Sequence, residues 1–328
     1  MGIRVLKGGM MTTVQDLGRT GYQSQGFSVS GVMDVRSFKI ANLLLDNPEN
    51  EAVLEFTLIG PTLEFTSETI ISITGGDFRP QINGKPAKMY TAIYMHRGDI
   101  LTFGGARTGT RGYIAFSSYL DVPVVMGSRS TNIKCQIGGY KGRKLEDEDY
   151  IAFRAKRRYL PYYLSRSLDL DEFDQEKITL RVVMGPQEKM FTKEGRETFL
   201  NSEYTVTSEF DRMGCRLEGP FIAYKTTSDI ISDGIAFGSV QVPSHGKPII
   251  LLADRQKIAT VVSVDIPKLV QRKTEQKVRF QAVSVEEAQK LLADEMKELN
   301  DFRSQIYTPC KEVLDCRLVA KRISTLFK

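Results

Sequence analysis

Five arginines lie in polar, glycine-bounded stretches of the chain: Arg19, Arg107, Arg129, Arg212 and Arg255. A guanidinium is a rigid fork of N–H donors that matches a carboxylate or a phosphate with two parallel hydrogen bonds. Each of the five alone suits a structural ion pair or a clamp on backbone carbonyls at least as well as a ligand contact. Convergence of several on one pocket would define an anion site, and spacing along the chain does not show convergence. The most informative stretch is Thr12-Thr13-Val14-Gln15-Asp16-Leu17-Gly18-Arg19-Thr20-Gly21-Tyr22, with only two aliphatic side chains. As a core strand it would bury polar groups at about 1–3 kcal/mol for each one left unpaired. It reads as a loop held against something polar, or as an exposed hairpin turn.

The other chemical options are few. The two histidines sit in turn sequences, His96 before Arg97-Gly98-Asp99 and His245 in Pro243-Ser244-His245-Gly246-Lys247-Pro248. A histidine-rich metal site is therefore excluded, no metal is expected, and a Ser-His-Asp triad would have to use one of these two. Cysteines at 135, 215, 310 and 316 show no Cys-x-x-Cys spacing, which fits reduced thiols in a cytoplasm. No phosphate loop is present, because Gly84-Lys85 and Gly246-Lys247 both run into proline. Gly104-Gly105-Ala106-Arg107-Thr108-Gly109 lacks the dinucleotide spacing, Gly26–Gly31 is not a nucleophile elbow, and there is no biotin-attachment Met-Lys-Met.

The elements that must carry these residues are mostly strands. The 328 residues suffice for two domains of roughly 100–200 residues each. With 41% hydrophobic and 26% charged residues the composition is that of a globular protein. The net charge of +5 is not gathered into one block: the run Arg154-Ala155-Lys156-Arg157-Arg158 is followed by acidic residues at 169, 171, 172 and 174. That pattern is a solvated linker rather than a nucleic-acid groove, so no nucleic acid is expected as a partner. No apolar stretch nears the roughly 20 residues of a membrane span, so no membrane is expected either, and residues 1–7 open on a strand pattern rather than a signal peptide. Short apolar runs at 70–74, 92–95, 100–103 and 112–116, separated by glycine turns, indicate an antiparallel sandwich or barrel. Helices are expected at 34–45, with Asp34 as N-cap, at 192–202, and at 284–303, where Ser284 and Glu287 match a capping box. Strands resume at 178–184, 204–207, 215–223, 248–253 and 258–264. The expected division is a β-domain over 1–160, a second over 175–283, and a helical extension over 284–328. A faint echo between Glu55–Pro61 and Arg216–Pro220, each a strand running into Gly-Pro, hints that the two β-domains are related.

The polar segments occur in an order that resembles a known family. They are Thr13–Arg19 with Gly21-Tyr22, Met33-Asp34 with Ala41-Asn42, and Glu55 to Gly60-Pro61. Gly127-Ser128-Arg129-Ser130-Thr131, Gly138-Gly139-Tyr140-Lys141-Gly142-Arg143 and Gly185-Pro186-Gln187 follow. Asp211-Arg212-Met213-Gly214, Leu217-Glu218-Gly219-Pro220, Gly238 with Gln241-Val242-Pro243, and Asp254-Arg255-Gln256 complete the series. Over residues 3–280 the chain resembles the family of 5-oxoprolinase C subunits, also called the KipA, biotin-dependent carboxyltransferase or allophanate hydrolase subunit 2 family. Two departures stand out. The family's Thr-Thr-Gly-Gly-Tyr-like stretch is missing between Gln256 and Lys257, through a deletion or a loop left out of the numbering. Phe116-Ser117-Ser118-Tyr119 stands where the family more often has glycines.

The resemblance implies a mainly β fold of two cyclophilin-like β-barrel domains with a few short helices and a C-terminal helix. It implies a cytoplasmic hetero-oligomer with the KipI-like B subunit and the A subunit of 5-oxoprolinase. That assembly hydrolyses 5-oxo-L-proline to L-glutamate with ATP, the ATP bound with or by the partner subunits. On that reading Arg19, Arg129, Arg212 and Arg255 bind the substrate's anionic group. Gln15, Ser128, Thr131 and Gln256 add neutral hydrogen bonds, and Asp16 and Asp211 polarise water or orient an arginine. Two alternatives remain: a regulatory module that captures a KipI-like kinase inhibitor, and a carboxyltransferase served by a biotinyl partner, no biotin being attached to this chain.

Overall fold

The computed structural model describes residues 1–156, 159–170, 173–225, 237–252, 258–309, 320 and 324. The chain divides into two compact units, one of residues 1–172 with 298–328 and one of residues 173–297. The fold is mainly β.

The first unit holds strands β1 (Gly2–Lys7), β2 (Met11–Gln15), β3 (Val53–Thr57), β4 (Thr62–Phe65), β5 (Thr69–Gly75), β6 (Gln81–Ile82), β7 (Lys85–Pro86), β8 (Ile93–Met95), β9 (Ile100–Thr102), β10 (Arg111–Phe116) and β11 (Tyr150–Ala152), with helix α1 (Val35–Leu44) between β2 and β3. They form a six-stranded sheet in the order β11-β1-β4-β9-β6-β7 and a five-stranded sheet in the order β2-β3-β10-β5-β8. Ile3, Val5, Leu63 and Phe65 from one sheet meet Val14, Phe56, Ile73 and Ile114 from the other in a dry core. The five-stranded sheet is covered on its outer face as well. There Phe38, Ala41 and Leu45 of the α1 region pack on Val53, Tyr113 and Ala115. Strands buried on both faces lose the polar alternation of a half-exposed strand, which is why 70–74 and 112–116 read as continuous apolar runs. Asp34 caps α1 as its spacing predicts, accepting from Ser37 N at 2.9 Å.

In the second unit, β12 (Lys177–Met184), β13 (Glu203–Phe210), β14 (Gly214–Glu218), β15 (Ser239–Gln241), β16 (Ile249–Leu251), β17 (Ala259–Val261) and β18 (Lys277–Ala282) close a barrel in the order β12-β17-β15-β16-β14-β13-β18. Closure is made by the parallel pair β12–β18. Ile178, Leu180 and Val182 alternate into its core. Helices α2 (Lys193–Asn201) and α3 (Ile266–Val270) belong to this unit.

Helix α4 (Val285–Ile306) opens on the reciprocal bonds of a capping box: Ser284 N donates to Glu287 Oε2 at 2.7 Å and Glu287 N to Ser284 Oγ at 3.1 Å. It is not a separate extension, because from Glu298 onward it belongs to the first unit. Arg154, expected in a solvated run, is instead tied to Glu51 at 2.5 Å and to Leu120 O at 3.0 Å. Arg157 and Arg158 lie outside the described residues. At the serine departure Tyr119 takes a left-handed conformation, φ 56°, the backbone shape a glycine would adopt without cost.

Candidate anion-binding site

The polar segment after β2 is neither a core strand nor an exposed hairpin. Val14 enters the core between the sheets, and Thr13 and Gln15 share the opposite face, where Gln15 Nε2 donates to Thr13 Oγ1 at 2.9 Å. At Asp16 the chain leaves the sheet and meets residues 128–131. Asp16 Oδ1 accepts from Ser128 Oγ at 2.6 Å, Ser130 Oγ at 2.5 Å and Gly18 N at 2.8 Å, and Oδ2 accepts from Arg129 N at 2.6 Å. Thr131 N and Thr131 Oγ1 both donate to Val14 O at 2.9 Å, and Gln15 Nε2 donates to Thr131 O at 3.2 Å. The 128–131 segment thus lies along the edge strand β2, laced to it by side chains.

Arg19 is nearly closed off from solvent, with 1% of its surface exposed. Its Nη1 donates to Ser30 Oγ at 3.2 Å and its Nη2 to Ser130 O. Neither partner is a carboxylate, and Arg19 Nε has no hydrogen-bond partner among the described residues. Burial lowers the pKa of its guanidinium, opposed in part by the charge of Asp16. An arginine still remains charged, so Arg19 is a buried cation with an unspent donor. Arg129 Nε and Gln15 Oε1 are likewise buried without a partner among the described residues. Two donors and one acceptor therefore stand unsatisfied within this one cluster, where such groups ordinarily find a partner in protein, water or ligand.

Close backbone approach sets the back of the cluster. Gly138 and Gly139 have φ of 69° and 53°. A Cβ on Gly138 would lie 2.5 Å from Arg19 Nη2, and one on Gly139 would collide with Thr131 Oγ1. No side chain larger than hydrogen fits at either position.

Of the residues singled out from sequence, Gln15, Asp16, Arg19, Ser128, Arg129 and Thr131 come together here. No arginine side chain is among the four donors to the Asp16 carboxylate. Asp211 and Arg212 belong to the second unit, at the turn between β13 and β14. Asp211 is exposed there, and its Oδ1 accepts from Met213 N at 2.7 Å and Gly214 N at 3.1 Å. Arg255, Gln256 and the 256–257 junction lie outside the described residues. Arg107 pairs with Asp77 at 2.7 Å on the surface of the first unit. Sequence reasoning missed Ser130, which bonds Asp16 through its side chain and Arg19 through its carbonyl, and Ser30. The alternation Ser128-Arg129-Ser130 was the available signal for Ser130; Ser30 carried none.

These features define a mainly β protein whose first unit buries one arginine, Arg19, with an unspent donor beside the Asp16 turn. A family model described as "Carboxyltransferase domain, subdomain A and B" matches residues 25–282. The chain is 32% identical to the 5-oxoprolinase C subunit of Escherichia coli (strain K12) over 308 residues, 90% of this chain and 96% of that one. It is 33% identical to the 5-oxoprolinase C subunit of Haemophilus influenzae, over 85% of this chain and 90% of the relative. Among solved structures, K. lactis urea amidolyase superposes with a TM-score of 0.82 at 28% identity, covering 92% of this chain and 20% of that enzyme. The chain belongs to the carboxyltransferase-domain family that includes the 5-oxoprolinase C subunits. Their designation as C subunits places those relatives in multi-subunit assemblies.

Proposed function

We propose that this chain is the C subunit of an ATP-dependent 5-oxoprolinase, a cytoplasmic assembly with A and B subunits that hydrolyses 5-oxo-L-proline to L-glutamate. The observation that carries this reading is Arg19, a buried guanidinium with no carboxylate hydrogen-bonded to it and an unspent N–H among the described residues. 5-Oxoproline supplies one small carboxylate. Charge-assisted bonds from Arg19 and Arg129 would hold it, with Gln15, Ser128 and Thr131 fixing the surrounding frame. An unstrained lactam resists water until its carbonyl is activated, and ATP-dependent phosphorylation, carried out with or by the partner subunits, does that. Asp16 serves here as the acceptor that shapes the 128–131 turn.

Reconstitution with the A and B subunits tests the proposal through ATP-dependent glutamate release. Arg129→Ala is expected to lower kcat/KM for 5-oxoproline about tenfold to a hundredfold, the loss of one hydrogen bond to a charged group. Undiminished kcat/KM in Arg129→Ala rules out the site.

The description of the family model and the likeness to urea amidolyase favour a second reading, carboxyl transfer from carboxybiotin carried by another protein. Transfer of labelled carboxylate from a biotinyl partner, with no ATP-dependent glutamate release in the assembly, would establish it in place of the first.

A further inference from the structure

We propose that Glu55 is a positioning residue: through Tyr113 and two backbone amides it holds residues 26–34, and with them Ser30, against Arg19. Glu55 and Tyr113 face each other across β3 and β10, and Thr13 faces Glu55 from β2. All three lie on the sheet face that carries Gln15. Glu55 is 3% exposed and Tyr113 fully buried. Glu55 Oε2 accepts from Met33 N at 2.8 Å and from Tyr113 OH at 2.9 Å, and Tyr113 OH accepts from Asp34 N at 2.8 Å. The preceding amide, Val32 N, donates to Asp16 O at 2.9 Å. Three successive N–H groups at the entrance to α1 are therefore bound to groups on or next to the site-bearing sheet.

What this anchoring secures is the polar loop upstream. Residues 23–26 are exposed and 27–30 half-buried, whereas 31–34 are buried. From the anchored end, Val29 O accepts from Arg19 N at 2.7 Å and Ser30 Oγ from Arg19 Nη1 at 3.2 Å. Gly31, at φ 87°, passes so near Leu17 that a Cβ there would sit 2.9 Å from its carbonyl carbon. Burying a carboxylate costs several kcal/mol unless donors surround it. An apolar residue would fill the same space between sheet and helix without that cost, yet could not hold two donors. Burial, with the charges of Glu55 and Asp34, raises the Tyr113 pKa well above its usual value, so its hydroxyl stays a donor to Glu55.

The proposal rests on the reading of Arg19 and Arg129 as ligand-binding cations, and its test separates the two. Hydrogen exchange over residues 27–34 of the purified full chain is expected to quicken about tenfold or more in Tyr113→Phe and Glu55→Leu. Glu55→Gln retains a carbonyl oxygen for both donors and is expected to restore exchange close to wild type. In the reconstituted assembly the first two variants should raise KM for 5-oxoproline about tenfold with kcat little changed. Unchanged exchange in both overturns the proposal, and so does faster exchange with KM unmoved. Tyr113→Phe removes a single oxygen and decides the matter if Glu55→Leu fails to fold. Arg129→Ala run alongside isolates the other failure: unmoved KM there defeats the anion site, while exchange still judges the clamp.

Discussion

Asp16 shows how a residue type fixes chemistry only together with its neighbours. A carboxylate beside arginines suggests a base or an ion-pair partner, but here four donors converge on its two oxygens. An oxygen pair so occupied has little capacity to take a proton from substrate. Replacing Asp16 by Ala would leave two serine hydroxyls and two backbone amides without their acceptor, a loss on the order of 3 kcal/mol. Asp16→Asn keeps one oxygen for Ser128, Ser130 and Gly18 but turns an NH2 toward Arg129 N, where the present separation is 2.6 Å. The expected order of urea midpoints is wild type, then Asn, then Ala, with kcat/KM falling in the same order. A general base would behave differently: Asp16→Asn would abolish turnover while leaving the urea midpoint in place. Six of the residues singled out from sequence gather in one cluster, so their proximity was legible in the ordered polar segments. Their division of labour was not, because it depends on which atoms already have partners.

At the scale of elements, local rules are legible in the sequence and pairings are not. The caps at Asp34 and Ser284 each bond the amide that their spacing predicts, because a cap is settled within four residues. The strand expected at 215–223 is shorter in the structure, since β14 ends at Glu218 and Gly219 then approaches Tyr204 too closely for a side chain. Asp265 carries no signal in the sequence, although it ties α3 to the barrel. It is fully buried and takes Arg181 N at 2.8 Å, Arg181 Nε at 2.7 Å, Arg181 Nη2 at 2.5 Å and Lys268 Nζ at 2.8 Å. Burial alone would raise its pKa, but the Arg181 and Lys268 bonds outweigh that and the net shift is downward. A carboxyl whose folded pKa lies below its unfolded value of about 3.9 stabilises the fold above that pH and loses this contribution as the pH falls through the folded value. Urea unfolding of the wild type should therefore weaken below about pH 4. Asp265→Asn should be destabilised by roughly 3 kcal/mol at pH 7 and show a shallower acid limb. Parallel acid limbs in the two proteins would refute the assignment.

On the scale of the whole chain, the C-terminal helix shows where sequence reading stops. Its apolar spacing announces a helix with a face to bury, and nothing in that spacing names the partner. The latter part of α4 completes the first unit: Ile306, Leu299 and Phe302 pack with Ile40, Leu44 and Leu168. Arg36 of α1 forks onto Glu298 at 3.0 and 3.1 Å, and Tyr307 OH donates to Asp46 Oδ1 at 2.6 Å. The ring of Tyr307 also lies 5.1 Å from the guanidinium carbon of Arg166, which is itself fully buried and whose Nη1 donates to Leu44 O at 3.0 Å. Residues 261 and 262 positions apart thus close one small core around α1, a non-local pairing that no window of sequence displays. Ile306 is fully buried there, so truncation to Ala leaves a cavity bounded by α1. Ile306→Ala should cost about 2–5 kcal/mol, lowering the urea midpoint as much as a core mutation within the β-strands and quickening hydrogen exchange across α1. An α4 that served only as an appended tail would let the same variant keep the wild-type midpoint and the wild-type exchange of residues 35–44.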